Sequence, residues 1–135
     1  MTRFRCSFVR AGLVLVLALL LQDCKKSEPA PDPYAFLAGT WRYANGAECV
    51  FEAANKKATG TKVPTNNTQF NFVVGEDYWR NVLTTGPDAW SYDQIVRFSD
   101  GVTVEYRKST LKKKDANTLS VNTPGLTDSE LVRVS

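Results

Sequence analysis

No histidine occurs anywhere in this sequence. That removes the commonest general base, the Ser-His and Cys-His relays, and the commonest zinc ligand. The chain therefore reads as non-catalytic, with no cofactor and no metal assigned. Cysteine is scarce: Cys6 and Cys24 lie near the N-terminus and leave Cys49 alone in the body, so no disulfide framework exists. An excess of charge is also missing. The formal net charge is +3, but Arg3, Arg5, Arg10 and Asp23 fall in the leader, and without them 14 basic residues face 13 acidic ones. That balance gives no electrostatic reason to expect nucleic acid as a partner.

Long apolar runs are absent too, with one exception. Residues 11–21, Ala-Gly-Leu-Val-Leu-Val-Leu-Ala-Leu-Leu-Leu, are uninterrupted apolar sequence behind a basic tip. Eleven helical residues rise about 16 Å, about half a bilayer core, which suits a signal h-region and not a membrane span. Leu21-Gln22-Asp23-Cys24 follows directly and looks like a lipobox, with Asp23 where a small residue is usual. Residues 1–23 are thus expected to be a lipoprotein signal peptide, and Cys24 the lipidated, palmitate-bearing N-terminus of the mature chain. An ordinary secretory signal with an incidental cysteine is the alternative. Pro29, Pro31 and Pro33 favour extended polyproline II, so residues 24–36 read as a lipidated tether. The expected location is the bacterial cell envelope, at the outer membrane, with the membrane a partner through the N-terminal lipid.

From residue 39 onward period-2 alternation dominates. Gly39–Ala44 and Ala47–Glu52 flank Asn45-Gly46, a strong hairpin signal because a type I′ turn needs positive φ twice. Residues 53–67 read as a polar loop. Further strands are expected over 68–74, 78–84, 90–98, 102–108, 118–122 and 130–134, with 109–114 able to extend the sixth. In 102–108 the expected core face is Val102, Val104 and Tyr106. About eight strands joined by tight turns point to an all-β, small antiparallel up-and-down barrel, since closure removes unpaired edges. A two-sheet sandwich is second.

Three segments then carry a family resemblance. Leu37-Ala38-Gly39-Thr40-Trp41 matches the Gly-x-Trp that opens the first lipocalin strand. Ile95–Phe98 followed by Ser99-Asp100-Gly101 matches a strand and Asp-Gly turn, and Asn117–Val121 with Thr127–Arg133 matches a closing pair of strands. The sequence resembles the lipocalin-like domains of small bacterial lipoproteins over residues 37–135. The resemblance implies that Gly39, Trp41 and Arg133 form a structural motif, with the Trp packed at the closed barrel end beneath the Arg. The expected function, read from the aromatic-rich strands of such a barrel, is non-catalytic binding of a small apolar or aromatic molecule or an envelope component.

Two readings of the lumen stay open. An eight-stranded barrel is just wide enough to be filled by side chains or to hold one small ligand. In the second case Trp79, Trp90 and Tyr92 are the expected ligand rim; in the first the barrel is a solid interaction module contacting a protein or glycan through its loops. The run Lys108 and Lys112–Lys114 reads as a solvated strand edge, and Glu48, Glu52, Glu76 and Asp77 as solvated charge.

Overall fold

A computed structural model describes residues 27–134 of the chain. The signal segment and Cys24 lie outside the described residues. A compact unit begins at Asp32 and is all-β. Its strands are β1 (Gly39–Tyr43), β2 (Glu48–Glu52), β3 (Lys57–Lys62), β4 (Asp77–Gly86), β5 (Ala89–Arg97), β6 (Val104–Asp115), β7 (Thr118–Asn122) and β8 (Ser129–Val134). Each pairs antiparallel with its neighbour in sequence, and β8 returns to β1, so the sheet closes into an up-and-down barrel.

Directly opposite residues on paired strands share a face, so the register identifies the lumen. Trp41 lies across from Cys49 and from Arg133, Tyr43 from Leu131, and Leu131 from Leu119. Trp90 faces Leu111, which faces Val121. Trp41, Cys49, Trp79, Tyr92, Leu111, Leu119 and Leu131 are completely buried, and Cys49 is a free core thiol as the alternation predicts.

Two elements differ from the sequence reading. The segment read as a loop contains β3, whose inward residues are Ala58 and Gly60. They are small because aromatic rings from β4 occupy the space opposite: a Cβ on Gly60 would overlap the Tyr78 ring. A strand with small inward residues shows no apolar alternation. Conversely, the alternating stretch 68–74 is not a strand. A 3-10 turn (Asn67–Gln69) begins it, and Asn71 has φ of +52°. The Asn67 amide donates to the Phe72 carbonyl at 2.8 Å and accepts from the Phe72 N–H at 2.7 Å. That side-chain bracket satisfies backbone that a strand would have paired.

The facing of β6 is also reversed. Its inward residues are Arg107, Ser109 and Leu111, opposite Gln94, Tyr92 and Trp90. Val102 and Val104 are exposed, and Tyr106 lies on the outer face beneath the Arg80 guanidinium, 3.9 Å from the ring centre. The sheet exterior supplies most ion pairs, including Lys108–Asp93 at 2.9 Å and Lys114–Glu130. Exposed pairs of this kind contribute about 0–1 kcal/mol each.

A barrel sealed at one end and open at the other

The loops divide by strand direction. One end carries the β2–β3, β4–β5 and β6–β7 turns together with the N-terminal approach to β1; the other carries the loops 44–47, 63–76, 98–103 and 123–128.

The first end is sealed by the chain's own N-terminal approach. A 3-10 turn (Ala35–Leu37) places Leu37 in the core and Phe36 against Trp41 and Trp90, with ring centres 5.7 and 6.2 Å apart. Both indoles donate to this segment: Trp41 Nε1 to the Leu37 carbonyl at 2.8 Å and Trp90 Nε1 to the Pro33 carbonyl at 2.9 Å. Arg133 closes over it. Its guanidinium sits 4.4 Å from the Trp41 ring centre and 5.0 Å from that of Phe36, and donates to the Ala38 and Phe36 carbonyls. Gly39 has φ of +115°, a conformation that favours glycine, and a Cβ there would crowd Arg133 Nη1 at 3.2 Å. Gly39, Trp41 and Arg133 thus form one constellation. Pro33–Phe36, expected to be tether, instead belong to the barrel, because Phe36 finds an aromatic pocket and Pro33 an indole donor.

Above the sealed end a polar layer crosses the lumen. Trp79 Nε1 donates to Tyr43 Oη at 2.6 Å; the Tyr43 and Tyr92 hydroxyls both donate to Gln94 Oε1, at 3.1 and 2.9 Å. The Gln94 amide donates to the Ile95 carbonyl, and Ser109 donates to Thr123 beside it. Burial, more than any other cause, raises the pKa values of Tyr43, Tyr92 and Cys49 well above their usual range. Tyr78 is pushed up to about 12, by burial first and by the Glu76 charge second. These groups are neutral at physiological pH. They serve as hydrogen-bond partners, not as bases or nucleophiles. Among the described residues no cluster of acidic and sulfur ligands could hold a metal.

On the open side of this layer lies a cavity of about 180 Å³, lined mainly by Tyr43, Phe72, Tyr78, Ile95, Val121 and Leu126, with Gln94 and Thr123 among its polar wall residues. A second, shallower hollow of about 690 Å³ adjoins it and shares Asn45, Pro64, Phe72, Ile95 and Leu126. Arg97 lines the outer hollow. Phe72 reaches the mouth on the long β3–β4 loop, edge-on to Tyr78 at 5.5 Å, with the Arg97 guanidinium 5.5 Å from its ring centre. Glu76, expected to be solvated charge, accepts from Arg97 and from the Val73 N–H and so holds that loop down.

Comparison with protein-family models, with curated proteins and with solved structures finds no match.

The expected rim requires correction. Trp79, Trp90 and Tyr92 are all at most 2% exposed, and none lines either cavity. They fill the barrel because their strands carry them inward, with each polar atom bonded inside. The residues that do line the mouth include Gln94, Phe72, Tyr78 and Arg97. Gln94 had a visible signal: it stands at an inward position two residues after Tyr92, where a polar side chain breaks an otherwise aromatic series. Phe72 had none, since its loop reads as a strand.

Proposed function

We propose that this chain is a lipid-anchored lipoprotein of the bacterial envelope whose lipocalin-like barrel binds a small apolar or aromatic molecule without catalysis. The observation that carries the reading is the asymmetry of the lumen. One end is plugged by the N-terminal approach to β1, through the Pro33, Phe36, Leu37 and Ala38 carbonyls. The other end opens onto a mainly apolar cavity. Deep sites for drug-sized ligands run to about 300–1,000 Å³, whereas a dry cavity of about 150 Å³ accommodates benzene. The occupant is therefore a single ring or a short branched chain, held at the mouth. The Trp41–Arg133 contact supports the lipocalin-like reading, because it is the arrangement that the resemblance implies.

The test titrates residues 32–135 with toluene and follows side-chain NMR signals. Shifts concentrated at Tyr43, Tyr78, Val121 and Leu126 are expected. No shift up to the solubility limit would count against a ligand cup. The anchor is tested separately: Cys24→Ser should release the full-length protein from the membrane fraction.

A second reading has its own support. Val73, Val74, Val102 and Leu126, all on open-end loops, are 48–81% exposed. Exposed apolar side chains on these three loops favour a barrel whose loops contact a protein or glycan. Retained partner binding after the cavity is filled by Val121→Phe would select this alternative.

A further inference from the structure

The mouth has two compartments of different chemistry, and the difference specifies more than an apolar ligand. The inner cavity is walled by aromatic and aliphatic groups, with its polar atoms largely committed to one another. The outer hollow brings in Thr65 and Asn66, and one charged side chain, Arg97. The guanidinium of Arg97 is held in place rather than waving in solvent: its side chain is only 11% exposed, Glu76 takes Nη2, and the Phe72 ring lies beside it. Glu76 does not exhaust it. Arg97 Nε is buried and has no hydrogen-bond partner among the described residues. A buried donor left unmatched is costly, and such groups are rare enough to call for an explanation.

We propose that Arg97 receives the carboxylate of a single-ring or short-chain acid whose apolar end occupies the inner cavity. This deepens the binding reading above and rests on it. With Nη2 held by Glu76 and Nε sealed from solvent, the guanidinium meets the carboxylate through its remaining nitrogen, Nη1, as a charge-assisted contact, and the two compartments share a wall, so one small molecule can span them. Phe72 belongs to both, and therefore touches the ligand where ring and carboxylate join. Glu76, bonded also to the Val73 N–H, keeps the Arg97 fork oriented while the ligand supplies the second anion. A cationic head would meet the same guanidinium and be repelled.

The experiment compares four probes of one size on residues 32–135 at pH 7: benzoate, benzamide, toluene and benzylammonium. Benzoate should bind at least about tenfold tighter than toluene, as a charge-assisted pair warrants, with benzamide between them and benzylammonium weakest. In Arg97→Gln the ratio of benzoate to toluene affinity should fall to about one, whatever the absolute affinity of the variant for toluene. Should that variant fail to fold, the order of the four probes on the unaltered sequence decides by itself. Equal affinity for benzoate and toluene, or a preference that survives Arg97→Gln, would overturn the role of Arg97 and leave the apolar cup standing. Failure of all four to bind would overturn both.

Discussion

The two ends of this barrel are built from the same kinds of residue and behave oppositely. At the sealed end Phe36, Trp41 and Trp90 stack, their indole donors reach carbonyls of the N-terminal approach, and Arg133 covers them. At the open end Phe72 and Tyr78 also meet edge to face, but they stand beside a cavity, and valines on the neighbouring loops point into water. The difference lies in what the backbone does. The sealed end is spanned by a short segment in which the Pro33, Phe36, Leu37 and Ala38 carbonyls accept from barrel side chains. The open end is bordered by long loops that satisfy their own backbone, as the Asn67 bracket does. Aromatic content alone does not decide where a barrel is solid; the supply of polar partners for the crossing chain does.

The polar layer separates the two ends, and alkali should dissolve it. Tyr43, Tyr78, Tyr92 and Cys49 all have folded-state pKa values above their unfolded ones. Their contribution is fully present below the unfolded values, near pH 9 for the thiol and 10 for the phenols, and is lost as pH rises toward the folded ones. Each group costs about 1.4 kcal/mol per pH unit in that window. Four of them rival the 5–15 kcal/mol that holds a domain together. Cooperative unfolding between about pH 10 and 12, followed by circular dichroism and tyrosinate absorbance, is the expected outcome; tyrosines that ionise near pH 10 in a folded protein would contradict it.

Trp41→Ala should be the most damaging substitution, at about 3–5 kcal/mol in urea denaturation, because it empties the centre of the sealed end. Arg133→Ala should cost about 1–2 kcal/mol through lost stacking and lost cover for the indole. The pair should be non-additive in a double-mutant cycle, since the two side chains touch. Strict additivity would mean that the contact contributes nothing. At the other end, Val73→Ser and Val74→Ser should change stability by no more than about 0.5 kcal/mol. A larger loss would show that the open end shares the packing of the sealed one.

The sequence makes some of this legible and conceals the rest for definite reasons. The β1–β2 hairpin is visible because Asn45-Gly46 marks the turn, though only Gly46 takes positive φ and the loop is not type I′, and because Trp41, Cys49 and Phe51 supply the alternation. β7 is found with its observed bounds. The number of strands matches the expectation, though one strand was placed in the wrong segment: β3 packs with Ala58 and Gly60, so its alternation is hidden in residues that make room for others. β4 has no readable facing because Tyr78 is an extra residue in its pairing with β3, and Asn81, with φ of +52°, lies where its pairing with β5 shifts. Each irregularity changes the phase of the period on which the reading depends. The sealed-end motif was legible through Gly39, Trp41 and Arg133. The mouth was not, because loops 63–76 and 123–128 and the end of β5 come together only in three dimensions.

The bracket around Pro33–Ala38 also has a mechanical meaning. A pull on the chain's N-terminus does not arrive first at β1, where it could unpair that strand from β2 and β8 one hydrogen bond at a time. It meets the Trp90 bond to Pro33 and the Arg133 bonds to Phe36 and Ala38, and so divides between β5 and β8 before β1 bears load. The segment acts as a strain relief, and a barrel held by its N-terminus can be tugged without being unzipped.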